Sequence, residues 1–543
     1  MVWEYVMGEQ EHLPMNKLQT IFVSLLTLGI IIFQGVWGWC ADSPAVIRTD
    51  AGIVQGTLEV GLAVFRGIPY AAPPVGKLRW QPPQKPPSWT GVQNATSFGP
   101  ACPQQEVSEL EGGGDLGRMA EDCLYLNIWK PITQRNEKLP VMVWIHGGGF
   151  GVGAGSGPEY PGDRLARKGS IVVTLNYRLG ALGFFVHEDL EKESPAGVSG
   201  NYGLLDQIAA LRWVKKNIGA FGGDPERITL FGESAGAASI NLLMLSPQAK
   251  GLFHRAIMES ATATTLPYIM PRANGDYAQA RATGRKFATT LEGNKSRDIL
   301  AALRARTPEE ILAATASPID DLAFSNKGFL FAPVYDGHLI PGRPEELLAQ
   351  GMTPSLPVII GTNKDEATLF TDDLTDKTYL DWLARYFGGR EREIFAVFPG
   401  LRAGDFRPAA NHFFTTLWFT EPARFLARFL TAKGAAVYRY HFTREPFSFW
   451  MIGKGAYHGV EIPYVFGTTD QENLSTTDRK LTEAMMGYWV SFAAQGNPNS
   501  NTAGLPFWPA YDRNSETYLE FGDDIAVKTG LDRKACDLIE KIR

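Results

Sequence analysis

The sequence predicts an α/β architecture: an open, mostly parallel central sheet with helices on both faces and long loop insertions. Two patterns carry the prediction. Six short, β-branched-rich runs are apolar on consecutive residues, as strands buried on both faces are. Helical periodicity lies between such runs, and strands alternating with helices build parallel sheets. The composition agrees. Of 543 residues, 44% are hydrophobic and 20% charged, so a mainly disordered chain is excluded.

In chain order, the stretch from Ile21 to Trp39 comes first. It is almost wholly apolar, follows Lys17 and precedes the small residue Ala41. Residues 1–40 therefore read as a secretory signal peptide. Glu4, Glu9 and Glu11 suit such a segment poorly, and Met15-Asn16-Lys17 makes a better start. The run is also just long enough to span a bilayer as an uncleaved anchor. Lipidation of Cys40 is the third reading, disfavoured by Trp39 directly before it. Residues 41–543 read as a single secreted or periplasmic domain, touching a membrane only through that N-terminal segment. The acidic, Gly-rich stretch Glu106 to Asp115 reads as a surface loop.

The six strands are Val141 to Ile145, Ile171 to Asn176, Ile228 to Phe231, Ala256 to Met258, Leu356 to Ile360 and Val437 to Phe442. Leu204, Ile208, Leu211, Val214 and Ile218 form one apolar helix face ahead of the Ile228 strand. A small-residue helix, Ala235 to Leu245, follows it. The abundant Gly (57) and Pro (35) supply turns and long loops around this core. A net charge of -6 with no long Lys/Arg run leaves no nucleic-acid footprint. Four Cys exclude a disulfide-dense scaffold. No His/Cys/carboxylate cluster has metal-ligand spacing, and no Gly-x-Gly-x-x-Gly follows a strand. No metal or cofactor is expected.

In open parallel sheets the working groups gather beyond the carboxyl ends of the strands. Four ends stand out. His146-Gly147-Gly148-Gly149-Phe150 follows one strand, and Gly232-Glu233-Ser234-Ala235-Gly236 follows another. Asn363-Lys364-Asp365-Glu366 follows a third, and a loop after the last leads to His458. Gly-x-Ser-x-Gly between a strand and a helix is the context of a nucleophile elbow. The serine needs an adjacent base, and histidine is the side chain that titrates near neutrality. Of eight histidines, His458 in a loop beyond the last strand is the choice. A histidine of ordinary pKa puts the acid limb of activity around pH 6 to 7. Asp365 and Glu366 both follow a strand, and local sequence does not choose between them as the acid. The glycine turn offers unobstructed N–H groups for an oxyanion. The chain order Ser, acid, His is that of α/β-hydrolases.

The sequence resembles the type-B carboxylesterase family over residues 44–540. The resemblance is carried by Phe221-Gly222-Gly223-Asp224-Pro225-Glu226-Arg227 running on to Gly236, and by Glu121-Asp122-Cys123-Leu124-Tyr125-Leu126-Asn127-Ile128-Trp129. Phe65-Arg66-Gly67-Ile68-Pro69-Tyr70-Ala71 also resembles the family's N-terminal segment. The resemblance implies an α/β-hydrolase fold and a serine hydrolase of carboxylic esters with a small-molecule ester as partner. It implies Glu366 as the acid, with Ala367 where the family usually has Gly. It implies Gly148, Gly149 and Ala235 as oxyanion donors, a disulfide between Cys102 and Cys123 with Cys536 unpaired, and an ion pair between Arg79 and Glu121. By the same resemblance the acyl pocket involves Thr262 to Met270, Phe329 and Phe331, with Leu369 and Phe370 on its wall. Two other readings are a non-catalytic adhesion or binding protein on this fold, and an amide or lactone hydrolase with the same triad. The presence of Ser, Glu, His and the glycine turn argues against the first. Asn94, Asn294 and Asn473 begin glycosylation sequons.

Overall fold

A computed structural model describes residues 45–542 apart from 106–115, 134–136, 267–273, 293–297, 316–329, 372–373, 403, 447–450, 470–474, 501 and 503. The signal-like segment, Cys40, Phe329, the acidic loop and the sequons at Asn294 and Asn473 therefore lie outside the described residues.

Thirteen strands are described. They are β1 (Ala45–Arg48), β2 (Ile53–Glu59), β3 (Leu62–Pro69), β4 (Val92–Asn94), β5 (Tyr125–Pro131), β6 (Leu139–Ile145), β7 (Ile171–Leu175), β8 (Gly223–Glu233), β9 (Arg255–Glu259), β10 (Val358–Asn363), β11 (Val437–Phe442), β12 (Thr517–Phe521) and β13 (Ile525–Thr529). They join in the order β1-β2-β3-β5-β7-β6-β8-β9-β10-β11-β12-β13, with β4 beside β2. From β7 to β12 every pairing is parallel. Antiparallel strands extend both margins. All six expected strands are present. The one expected at Leu356 to Ile360 starts at Val358 and runs on through Asn363.

Consecutive apolar residues alternate between two cores. Val141, Val143 and Ile145 of β6 pack on one side, Met142 and Trp144 on the other. Val358 and Ile360 of β10 divide from Ile359 in the same way. Burial on both faces at about 1.5–3 kcal/mol per large aliphatic side chain fixes these runs as central strands. Helices Tyr202–Asn217, Ala235–Leu245 and Glu421–Ala432 cover one face. Helices Ile462–Phe466 and Thr476–Gln495 cover the other. A third, aromatic-rich core joins Trp382, Phe413, Phe414 and Trp418 to the last helix, Arg533–Ile542.

Two buried ion pairs tie loops to this frame. The Arg178 guanidinium donates to both oxygens of Asp206, at 2.8 and 2.7 Å, with both side chains out of solvent. Arg79 donates to Glu121 at 2.6 and 2.5 Å, and to the carbonyls of Leu303 and Arg306 at the end of helix Ile299–Ala305. Cys102 and Cys123 are bridged, and Cys536 is a buried free thiol. Among the described residues no helix is long and apolar enough to cross a membrane.

Candidate active site

The parallel strands bring their carboxyl ends to one edge of the sheet. β6 and β8 are neighbours, with Ile145 opposite Gly232. β10 and β11 are neighbours, with Asn363 opposite Phe442. β9 lies between the two pairs.

β8 ends at Glu233, and helix Ala235–Leu245 begins one residue after Ser234. Ser234 turns this corner at φ 53° and ψ -122°, outside the regions open to most side chains. Its N–H donates to the carbonyl of Glu259 on β9 (2.9 Å), which pins the strained residue. A Cβ on Gly236 would sit 1.9 Å from the Ile145 carbonyl oxygen. Only glycine lets the helix start this close to β6. Beside the corner lies the glycine turn after β6. Gly148 and Gly149 hold φ of 87° and 57°. Among the described residues, the N–H groups of Gly148, Gly149 and Ala235 donate to no partner.

Glu366 opens a short 3-10 turn after β10 and is fully buried. Its Oε1 accepts the Asn363 N–H at 2.8 Å, and its Oε2 lies 2.6 Å from His458 Nδ1. This long-range contact distinguishes Glu366 from Asp365, which local sequence does not. Asp365 instead faces the loop leading to His458, accepting the Ala456 N–H at 3.0 Å. Ala367 is buried outside the left-handed region and donates its N–H to Thr415 Oγ1 at 3.1 Å. The methyl group is accommodated where the family usually has glycine.

The other ring nitrogen of His458, Nε2, lies 3.1 Å from Glu233 Oε1. That oxygen has no partner at hydrogen-bonding angles among the described residues, so the contact acts through charge rather than a directed bond. Burial works against the imidazolium, but Glu233 and Glu366 outweigh it and raise the His458 pKa to about 9. Burial raises Glu233 to about 8. His146, by contrast, is a poor base. It is buried, stacked on Tyr177 with centroids 4.4 Å apart, and lowered to about 4 by burial. His441, inside β11, is lowered to about 4 for the same reason.

Around the pair stands a ring of buried polar groups that sequence reasoning passed over. Glu461, three residues beyond His458, accepts from Ser260 Oγ at 2.9 Å and from Asn363 Nδ2 at 2.5 Å. Glu259 accepts from Trp489 Nε1 at 2.8 Å. Burial lifts the pKa of both carboxyls. The spacing His458-x-x-Glu461 and the position of Glu233 directly before Ser234 were the available signals. Phe370 and Phe419 flank the imidazole, 5.1 and 5.0 Å from its centroid.

The expected pocket residues divide. Leu369 and Phe370 follow the acid and are half-buried. Phe331 packs in the core against Phe287 and Phe185, at 5.1 and 6.3 Å between ring centroids. Of the segment Thr262 to Met270, Thr262, Ala263, Thr264, Thr265 and Leu266 are described, and all five are buried. A separate cleft of about 730 Å³ lies between the Pro82–Pro83 stretch and helix Tyr202–Asn217, and none of the residues above lines it. Among the described residues no group of three or more His, Cys, Asp or Glu is arranged to hold a metal ion.

A parallel sheet with a serine elbow, a His–Glu pair and a glycine turn along one edge defines an α/β-hydrolase. The family model for the carboxylesterase family matches residues 43–539. Fumonisin B1 esterase of Sphingopyxis macrogoltabida is 37% identical over 515 residues, spanning 91% of this chain and 90% of its own. Para-nitrobenzyl esterase of Bacillus subtilis is 36% identical, spanning 89% and 96%. A solved thermophilic PNB esterase superposes with a TM-score of 0.79 at 36% identity, covering 91% of this chain and 99% of its own. The chain belongs to the carboxylesterase family. It is a serine hydrolase of carboxylic esters.

Proposed function

We propose that Ser234 is the nucleophile, His458 the general base and acid, and Glu366 the residue that orients His458. Neutral His458 takes the serine proton at Nε2 as Oγ attacks the ester carbonyl. Its Nδ1–H points to Glu366, which fixes the tautomer and stabilises the imidazolium. The N–H groups of Gly148, Gly149 and Ala235 receive the oxyanion, each worth about 3 kcal/mol in the transition state. His458 then protonates the leaving alcohol, and water deacylates the serine by the reverse path. The observation that carries this reading is the 2.6 Å contact between His458 Nδ1 and Glu366 Oε2 at the same sheet edge as the elbow.

The substrate class is a neutral ester of short to medium acyl chain. Leu369 and Phe370 lie three and four residues after Glu366 and supply apolar wall for an uncharged body. Residues 103–122 contain no aromatic side chain to bind a quaternary ammonium. A relative named for para-nitrobenzyl esters fits the same preference. Export through residues 1–40 places the domain of residues 41–543 outside the cytoplasm. The Cys102–Cys123 bridge suits that compartment.

Replacing Ser234, His458 and Glu366 singly by alanine tests the roles. The Ser and His variants are expected to fold and lose nearly all turnover, and combining changes costs little more because a triad acts as a unit. Substantial ester hydrolysis by Ser234→Ala would falsify the assignment. Butyrylcholine preferred over an uncharged butyrate ester of similar leaving group, by kcat/KM, overturns the substrate class. Amide and lactone substrates in the same panel separate the remaining reading.

A further inference from the structure

We infer that Asp365, the carboxylate beside Glu366, is a positioning residue that locks the His458 loop onto the turn carrying the acid and ties both to helix Arg407–Thr415. The inference rests on the roles proposed above for Glu366 and His458.

Glu366 and His458 follow different strands, so their contact depends on two loops keeping register. Asp365 makes that register. Its backbone N–H donates to the Ala456 carbonyl at 3.0 Å, and its Oδ2 accepts the Ala456 N–H at 3.0 Å. This closes a two-bond ring, two residues before His458 and one before Glu366. Gly455 holds φ 67°, and a Cβ there would lie 2.3 Å from Asp365 Oδ2. Glycine is what allows the carboxylate to approach. Thr368 extends the seam, its hydroxyl shared between the carbonyls of Asp365 (2.7 Å) and Lys454 (2.9 Å).

The remaining oxygen of Asp365 faces the other way. Asn411 Nδ2 donates to Oδ1 at 3.0 Å. Asn411 Oδ1 accepts from Thr415 Oγ1 at 3.3 Å, and Thr415 Oγ1 accepts the Ala367 N–H at 3.1 Å. Glu366 is thus held on both flanks, through Asp365 and Ala367, by two side chains one helical turn apart. The next position along that face, Phe419, sits in the π-helical turn Thr416–Thr420 and meets the His458 ring. Asp365 touches neither the imidazole nor the reacting atoms. Its effect reaches them through geometry, where displacements near 1 Å cost up to about 100-fold in rate.

The test compares Asp365→Ala, Asp365→Asn, Asn411→Ala and the exchange Asp365→Asn/Asn411→Asp in the full chain, with p-nitrophenyl butyrate. Asp365→Ala is expected to lower kcat about 10- to 100-fold with KM little changed. It also moves the acid limb of kcat/KM to lower pH, because a loosened Glu366 no longer supports the imidazolium. The exchange keeps an acceptor for Ala456 and a donor–acceptor pair with position 411, so it restores most of the rate; Asp365→Asn does the same once the Asn411 amide turns its oxygen toward the new NH2. Asn411→Ala shifts kcat and the limb in the same direction by less. A kcat for Asp365→Ala within about twofold of wild type overturns the inference. So does a loss of kcat with an unmoved limb and no rescue by asparagine, the signature of a merely structural residue. If Asp365→Ala does not fold, the decision falls to Asn411→Ala, whose equality with wild type in both readouts is the refuting result. The catalytic reading fails separately, if Glu366→Ala retains full turnover.

Discussion

Glu233→Gln should move the acid limb of catalysis, and the size of the move follows from one contact. Glu233 Oε1 stands 3.1 Å from His458 Nε2, inside a buried site. At that distance the attraction between unit charges runs from about 1 kcal/mol in a water-like medium to about 5 kcal/mol at an effective dielectric of about 20. Glu233 is itself raised to about 8 by burial. As pH falls through that value it takes up a proton and ceases to support the imidazolium. The working effect therefore sits near the lower end, about one pH unit at about 1.4 kcal/mol each. The wild-type limb is accordingly expected above the ordinary 6.5 of histidine and below the value of about 9 set with Glu233, Glu366 and Glu461 all raising it. An unperturbed histidine would put the limb at pH 6 to 7, so the profile separates the two expectations. The glutamine keeps the shape and removes the charge, so the limb should fall by about one unit. Below the limb, kcat/KM relative to its own plateau rises about tenfold. The assay is kcat/KM for a neutral butyrate ester from about pH 5 to about pH 10, reading the limb position and not the plateau. An unmoved limb, or one displaced to higher pH, refutes the argument.

Two stability predictions accompany it. Arg79→Met should cost about 3–5 kcal/mol, because it leaves Glu121 unpaired in a nearly dry site and frees the carbonyls of Leu303 and Arg306. Urea unfolding reads the loss, and replacing Glu121 by leucine in the same chain should recover much of it; a single variant as stable as wild type contradicts the reading. Breaking the Cys102–Cys123 bridge should cost about 3 kcal/mol by constraining the unfolded chain less. Unreduced peptide mapping should recover the two joined. Cys536, buried with its thiol pKa pushed far up by burial, should resist alkylation until the protein unfolds. Free Cys102 and Cys123 peptides, or rapid labelling of native Cys536, would count against this.

The features legible in the sequence are those whose cause is local. Val141 to Ile145 is apolar on every residue, and only a strand covered on both faces buries them all. The helix Ala235–Leu245 and the corner before it follow from glycines and small residues within a few positions of Ser234. The antiparallel margins were not legible, because short edge strands such as β1 and β13 are largely exposed and carry weaker patterns.

Sequence by itself thus determined the central parallel sheet, the elbow at Ser234, the glycine turn and the choice of His458 as the candidate base. These rest on patterns spanning a few residues, each with one low-energy way to be satisfied. Tertiary structure decided what depends on distance between remote segments. Asp365 and Glu366 are equivalent as neighbours in a chain, yet one reaches His458 and the other reaches Ala456 and Asn411. Phe331 packs with Phe287 and Phe185, residues remote from it in the chain. Glu233, Glu259 and Glu461 are ordinary carboxylates in the sequence. Folding brings them into one dry region, and loss of water there raises the pKa of each. Charge interactions and desolvation act through space and not along the chain, so the working pH of His458 is a property of the fold.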